Sequence, residues 1–192
     1  MAELSEAVEV LRSGGVVACP TETLVGLLAD ARNPLAVERV AVIKRRPSSS
    51  PIALILPDAS AVTQVAEPLI DRAQRLVDRY WPGPLTLLVQ ALPSLSPLLV
   101  QDGKVGVRVP GPSLAADLAR AFGGALTATS ANFAGEPPVS STAQLPETLR
   151  LQLDCVLEGS SPGGAPSTLV DASEQPLRVL RQGAIDLDAR LL

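Results

Sequence analysis

Three polar clusters in this sequence stand where apolar runs stop, and each holds side chains suited to oxyanions. Pro20-Thr21-Glu22-Thr23 follows Val16-Val17-Ala18-Cys19. Lys44-Arg45-Arg46-Pro47 closes an apolar-patterned stretch and leads into Ser48-Ser49-Ser50, and Thr129-Ser130-Ala131-Asn132 follows Leu126-Thr127-Ala128. Lys44 and Arg46 can neutralise a phosphate chain, while Ser130 and Asn132 can donate to phosphate or carboxylate oxygens without adding charge. Each cluster also has an ordinary structural explanation. Cations suit a helix C-terminus, where they contribute about 0.3–1 kcal/mol. Ser, Asn and Gly135 are common turn formers, and Thr21-Glu22-Thr23 serves equally as a turn or cap. Arg108 differs in kind, because Val107 and Val109 flank it in an apolar strand. An arginine there must reach water, a carboxylate or a ligand.

The same inventory excludes several chemistries. The chain has no histidine, which removes His-based triads, His metal ligands and a His general base. Cys19 and Cys155 form no Cys-x-x-Cys, so a zinc site or disulfide framework is not expected. Both cysteines read as buried, reduced thiols. No Gly-x-x-x-x-Gly-Lys-Ser/Thr occurs, and Gly14-Gly15 precedes the first strand rather than following it, which disfavours a P-loop or Rossmann turn. If ATP is used, cationic and hydroxyl side chains must hold its phosphates. Net charge −4 argues against tight nonspecific binding to nucleic acid. The aromatics are Tyr80, Trp81, Phe122 and Phe133, too few for a base-stacking platform.

The elements that must position these groups follow from periodicity. At 192 residues and 46% hydrophobic content, the chain suits one globular domain, 1–192, with a substantial core. Leu4, Ala7, Val8 and Leu11 form a helical face that Gly14-Gly15 terminates. Asn33-Pro34 opens a second helix through Val37, Val40, Ala41 and Ile43. It must stop before Pro47, leaving Lys44 and Arg46 as exposed cations near a strand mouth. Strands are expected at 16–19, 52–56, 85–89, 105–109 and 126–129, with a helix from Pro68 to Tyr80 and another capped by Ser113. A helix near 142–151, strands near 154–157, 167–171 and 177–181, and an amphipathic tail with Ile185, Leu187 and Leu191 complete the pattern. The alternation predicts an α/β fold, a twisted mixed β-sheet flanked by helices. Glu3, Glu6, Glu9 and Arg12 interrupt the N-terminus, and no membrane-length apolar run follows, so a soluble cytoplasmic protein with no membrane role is expected.

Taken in order, the motifs resemble the YrdC-like threonylcarbamoyl-AMP synthase family across nearly the whole chain. The matching segments are Pro20-Thr21-Glu22-Thr23 with Gly26-Leu27, Lys44-Arg45-Arg46-Pro47 with Pro51, and Trp81-Pro82-Gly83-Pro84-Leu85-Thr86. Val107-Arg108-Val109-Pro110, Thr129-Ser130-Ala131-Asn132, Gly163-Gly164 with Pro166-Ser167-Thr168 and Asp171, and Arg181 with Gly183 follow. The resemblance implies a short, single-domain nucleotidyltransferase. It would join L-threonine, bicarbonate or CO2, and ATP into threonylcarbamoyl-adenylate for threonylcarbamoyladenosine in tRNA. It assigns Lys44 and Arg46 to catalysis at the triphosphate, with Ser50, Ser130, Asn132 and Arg181 also binding ATP. Thr23, Arg108 and Ser167 would hold threonine, and Mg²⁺ would come with ATP rather than on protein ligands. The implied partners are a downstream threonylcarbamoyl transferase machinery and, indirectly, tRNA. The chain carries Val25, Ile55 and Pro112 where many members have tyrosine, histidine and histidine, and positions 25 and 55 are expected in the amino-acid pocket. Two other readings stand beside this one: a paralogue activating a different amine or carbamoyl compound, and an RNA-binding module.

Overall fold

A computed structural model describes residues 3–45 and 52–191. Helix α1 (Leu4–Arg12) buries Ala7, Val8 and Leu11 at three- and four-residue spacing. Gly14 beyond it takes φ 84°, a conformation that a Cβ would penalise. The chain then enters β1 (Val17–Pro20) and folds back as β2 (Val25–Leu28), pairing Val17 with Leu28 and Pro20 with Val25. Strand β2 has no counterpart in the sequence-based expectation. All four of its residues are buried, so no in–out alternation marks it, and Gly26 weakens any strand signal.

Helix α2 (Pro34–Lys44) begins where expected, since Asn33 Oδ1 accepts from the amides of Leu35 and Ala36. Then come β3 (Ala53–Ile55), α3 (Asp71–Tyr80), β4 (Leu85–Gln90) and β5 (Lys104–Arg108). Helix α3 starts later than Pro68 suggests, with Asp71 placing an acid in the first turn. Helix α4 (Leu114–Phe122) is capped by Ser113 Oγ and leads to β6 (Leu126–Ser130). The helix expected near 142–151 divides into a 3₁₀ turn, Thr142–Gln144, and the single-turn α5 (Glu147–Arg150). Pro146 lies between them and has no amide hydrogen to continue the ladder. Strands β7 (Cys155–Val156), β8 (Thr168–Asp171) and β9 (Arg178–Arg181) follow.

Among the described residues the strands form one sheet in the order β7-β1-β2-β6-β3-β5-β4-β8-β9. It is mixed: β1/β7, β3/β5 and β4/β8 are parallel, and the other neighbours run antiparallel. One face packs on α2 and α3, where Val37, Val40, Leu76 and Val77 join Leu27, Leu54, Leu87 and Val107 in one core. On the other face α1 and α4 cover β1 and the Ile55 and Leu126 ends of β3 and β6. The rest of that face stays open as a cleft.

The far end of the sheet is fastened electrostatically. Lys104 Nζ lies 2.9 Å from Asp171 Oδ2, and Asp171 Oδ1 accepts from the Ser173 hydroxyl at 2.6 Å. Burial works to raise the Asp171 pKa, but the Ser173 and Lys104 contacts prevail and bring it down to about 2. The native carboxyl therefore binds a proton more weakly than the unfolded one. Its stabilising contribution is complete above the unfolded value of about 3.9 and is lost as pH falls toward 2. Asp171→Asn is expected to lower the melting temperature at pH 7 and to flatten its decline between about pH 4 and 2. Parallel acid profiles for the two proteins would reject this role.

Candidate active site

The open cleft has a volume of about 550 Å³. Its floor is made by small residues that register brings side by side: Ala53 pairs with Ala128, and Gly26 with Ser130. A Cβ on Gly106 would sit 3.4 Å from both Ala53 Cβ and Leu88 Cδ2, so glycine there sets the depth of the floor. Thr23, Arg108, Ser130, Ser167 and Arg181 all line this one cleft, although their sequence positions span most of the chain.

The β1–β2 turn delivers Thr23. Pro20 ends β1, and Thr21 Oγ1 accepts from the amides of Thr23 at 3.1 Å and Leu24 at 3.2 Å, a side-chain turn that fixes the loop. The Thr23 hydroxyl lies 3.2 Å from Thr21 Oγ1, and the Thr23 carbonyl accepts from Gly163 N at 3.0 Å. Across the cleft, register aligns Thr86 with Leu169 and Leu169 with Arg181, while Arg108 ends β5 beside β4, one residue beyond the Leu87–Val107 pair. Thr86 and Ser167 hydroxyls lie 2.8 Å apart, while Arg181 Nε and Nη2 donate to the Ser167 carbonyl at 3.2 and 2.9 Å. Arg181, assigned by resemblance to ATP, is thus fastened to Ser167, assigned to threonine.

Arg108 is only 8% exposed. Its Nη1 lies 3.0 Å from Glu22 Oε1, yet Glu22 accepts no hydrogen bond with acceptable geometry. Among the described residues the Arg108 guanidinium donates to no acceptor, although it lines the cleft. Burial pushes its pKa down from the usual arginine value; Glu22 opposes that shift and the nearby Arg181 cation adds to it. A buried cation with unspent donors is a prepared site for a carboxylate.

Lys44 corrects an expectation. It is 3% exposed rather than a surface cation. Residue 44 continues the inward stripe of Val37 and Val40, and the helix carries it under the end of β6. Its Nζ donates to the Ser130 carbonyl at 2.6 Å and to Asn132 Oδ1 at 2.8 Å. Ser130 Oγ also donates to Asn132 Oδ1, and Asn132 Nδ2 donates to the carbonyls of Phe133 and Glu136. The Arg45 guanidinium lies 4.3 Å from the Phe133 ring centroid, a further tie between the end of α2 and this loop. Lys44 and Asn132 brace Ser130, which lines the cleft. Arg46 and Ser50 lie outside the described residues. Ile55 is a second correction. It is buried with Leu118 and Leu126 beneath α4 instead of lining the pocket, whereas Val25 does line it.

Glu22 and Thr86 are site residues without a role in the sequence-based assignment. The signals were present, since Glu22 is the only acid between Glu9 and Asp30, and Thr86 interrupts an apolar run. Cys19 and Cys155 are free and buried, and burial pushes the Cys19 thiol pKa far up, keeping it protonated. Among the described residues no group of three or more His, Cys, Asp or Glu side chains is placed to hold a metal. No described helix is long and apolar enough to cross a membrane.

A mixed sheet, half roofed by helices, with cations and hydroxyls converging on the open half, defines an α/β protein with a polar, cation-lined cleft. The chain belongs to the Sua5/YciO/YrdC family, whose model, described as telomere recombination, matches residues 9–183. It is 33% identical over 186 residues to the threonylcarbamoyl-AMP synthase of Bacillus subtilis, covering 95% of this chain and 54% of that protein. Identity is 36% over 191 residues to the threonylcarbamoyl-AMP synthase of Photobacterium profundum, covering 95% of this chain and all of that one. The crystal structure of P. abyssi Sua5 complexed with L-threonine is similar at a TM-score of 0.88 and 30% identity, over 95% of this chain and 55% of that one. The chain therefore spans about half the length of the B. subtilis and P. abyssi relatives.

The Lys44 geometry predicts a stability effect. Lys44→Ala leaves the Ser130 carbonyl and Asn132 Oδ1 without their charged donor, a loss of roughly 1.5–3 kcal/mol. Urea unfolding is expected to show it as a lower midpoint with an unchanged slope. A shift corresponding to under about 0.5 kcal/mol would return Lys44 to the surface.

Proposed function

We propose that the chain is a threonylcarbamoyl-AMP synthase, a nucleotidyltransferase acting on L-threonine, bicarbonate or CO2, and ATP. The observation that carries this reading is Arg108, a buried cation lining the cleft with its donors uncommitted. The relatives' names and the threonine-bound P. abyssi structure support the choice of substrate.

In this reaction the threonine amine forms a nitrogen–carbon bond to bicarbonate with loss of water. An oxygen of the resulting carbamate attacks the α-phosphorus of ATP, and pyrophosphate leaves. Both nucleophiles belong to substrates, so the protein needs neither histidine nor thiolate, and its contribution is positioning and charge stabilisation. Arg108 pairs with the threonine carboxylate, and the hydroxyls of Thr23 and Ser167 flank it. Ser130 sits on the phosphate side, braced by Lys44 and Asn132, and its one hydroxyl proton turns from Asn132 Oδ1 to a phosphate oxygen when ATP binds. Arg181, anchored on Ser167, stands between the amino-acid and nucleotide sides. Arg46 and Ser50 complete the triphosphate side in this proposal. The cleft offers cations and hydroxyls suited to phosphate oxygens, and Mg²⁺ arriving on the triphosphate supplies further charge neutralisation. A cytoplasmic setting and transfer of the product to tRNA by a separate transferase machinery belong to the same proposal.

Pyrophosphate release from ATP and Mg²⁺ is expected only when both threonine and bicarbonate are present. Equal release with serine, glycine or no amino acid would remove the threonine assignment. Arg108→Lys keeps a charge but loses the planar fork. It should raise the KM for threonine about ten- to hundredfold while the KM for ATP stays nearly constant. An unchanged threonine KM with a lowered melting temperature would make Arg108 a structural residue.

A further inference from the structure

Glu22 has no part in the chemistry above, yet its surroundings are unusual. The side chain is 10% exposed, and both carboxylate oxygens are buried without a hydrogen-bond partner. Buried carboxylates ordinarily accept hydrogen bonds, and an exception calls for an explanation. Stability does not supply one, because a buried ion pair lacking hydrogen bonds poorly offsets its desolvation. Its Oε1 approaches Arg108 Nη1 to 3.0 Å without hydrogen-bond geometry, so the interaction is one of charge and leaves the arginine's donors available. The Glu22 side chain runs beside Gly111, where its Cγ lies 3.7 Å from the position a Cβ would take. Thr21 and Thr23, on either side of it in sequence, both line the cleft.

We propose that Glu22 is a charge filter that makes the Arg108 subsite select zwitterionic amino acids over simple carboxylates. The inference rests on the amino-acid reading of the cleft. A ligand carboxylate seated on Arg108 comes within a few ångströms of the Glu22 charge, and no hydrogen bond to Glu22 damps that repulsion. An α-ammonium group next to the ligand carboxylate cancels it, so a zwitterion enters where a bare anion is opposed. With both Arg108 and Arg181 facing the cleft, the site without Glu22 would attract carboxylates indiscriminately. Selectivity here comes from a repulsive element as much as from an attractive one.

The test compares dissociation constants, by calorimetry, for L-threonine and for 3-hydroxybutyrate, which is threonine without the amine. The wild-type protein is expected to bind threonine at least about tenfold more tightly, the effect of one close charge in a partly screened site. Glu22→Gln, which keeps the shape and removes the charge, should shrink that preference about tenfold, chiefly by tightening 3-hydroxybutyrate. Glu22→Asp should keep the preference within about threefold of wild type. An unchanged ratio in the Gln variant, or equal loss in the Asp variant, overturns the filter and leaves the amino-acid reading intact. A wild-type protein that binds both ligands equally well does the same without any variant. Failure of the wild-type protein to bind threonine at all overturns the amino-acid reading, and the filter with it.

Discussion

Keeping Arg108 charged inside the sheet is the constraint around which this structure is organised. A guanidinium has no accessible neutral form, so its burial must be met by solvent, an opposite charge or a ligand. The protein meets it by leaving half of one sheet face without a helical roof and by bringing a single carboxylate, Glu22, against one nitrogen. Everything else on that face is compatible with an open, polar-rimmed space. The floor residues are small, Thr86 bonds Ser167 across the β4–β8 pair, and Arg181 is fastened to the Ser167 carbonyl. The opposite face, packed by α2 and α3, carries the continuous aliphatic core that keeps the sheet rigid.

The two ends of the site are built by different means. The end of the cleft proposed for the amino acid is framed by strands, with Thr86 in register with Leu169 and Leu169 with Arg181, and Arg108 ending the neighbouring β5. The end proposed for the nucleotide is framed by a loop, and a loop needs its own fastening. Lys44 supplies it, with Asn132 accepting from lysine and serine while donating to two carbonyls of the segment that follows. A lysine used this way both orders the Ser130 loop and keeps a positive charge behind it.

The conservative reading of each motif and the functional one turn out to be compatible. Lys44 does sit at a helix C-terminus, and Thr21 does form a side-chain turn. Ser130 and Asn132 do shape a loop. Their structural tasks hold the polar groups in a fixed arrangement, and fixed polar groups are what transition-state stabilisation requires.

Much of the fold was legible because it rests on local rules. Apolar spacing marked α1, α2 and α4, Asn33 and Ser113 marked two helix starts, and the aliphatic runs marked the central strands. The order of the short motifs was enough to connect Thr23, Arg108, Ser130, Ser167 and Arg181 with one site. What the sequence left undecided depended on which side of an element a residue faces and on what lies opposite. Strand β2 was hidden because a strand buried on both faces has no alternation. Ile55 left the pocket because α4 covers that end of β3. Lys44 went inside because distant β6 offered it acceptors, and burial without them would have been prohibitive. The pairing of Glu22 with Arg108 joins residues far apart in the chain. Local sequence carries propensity and period, but only the folded sheet determines which charges meet and at what distance, and on that distance the electrostatics of the site depends.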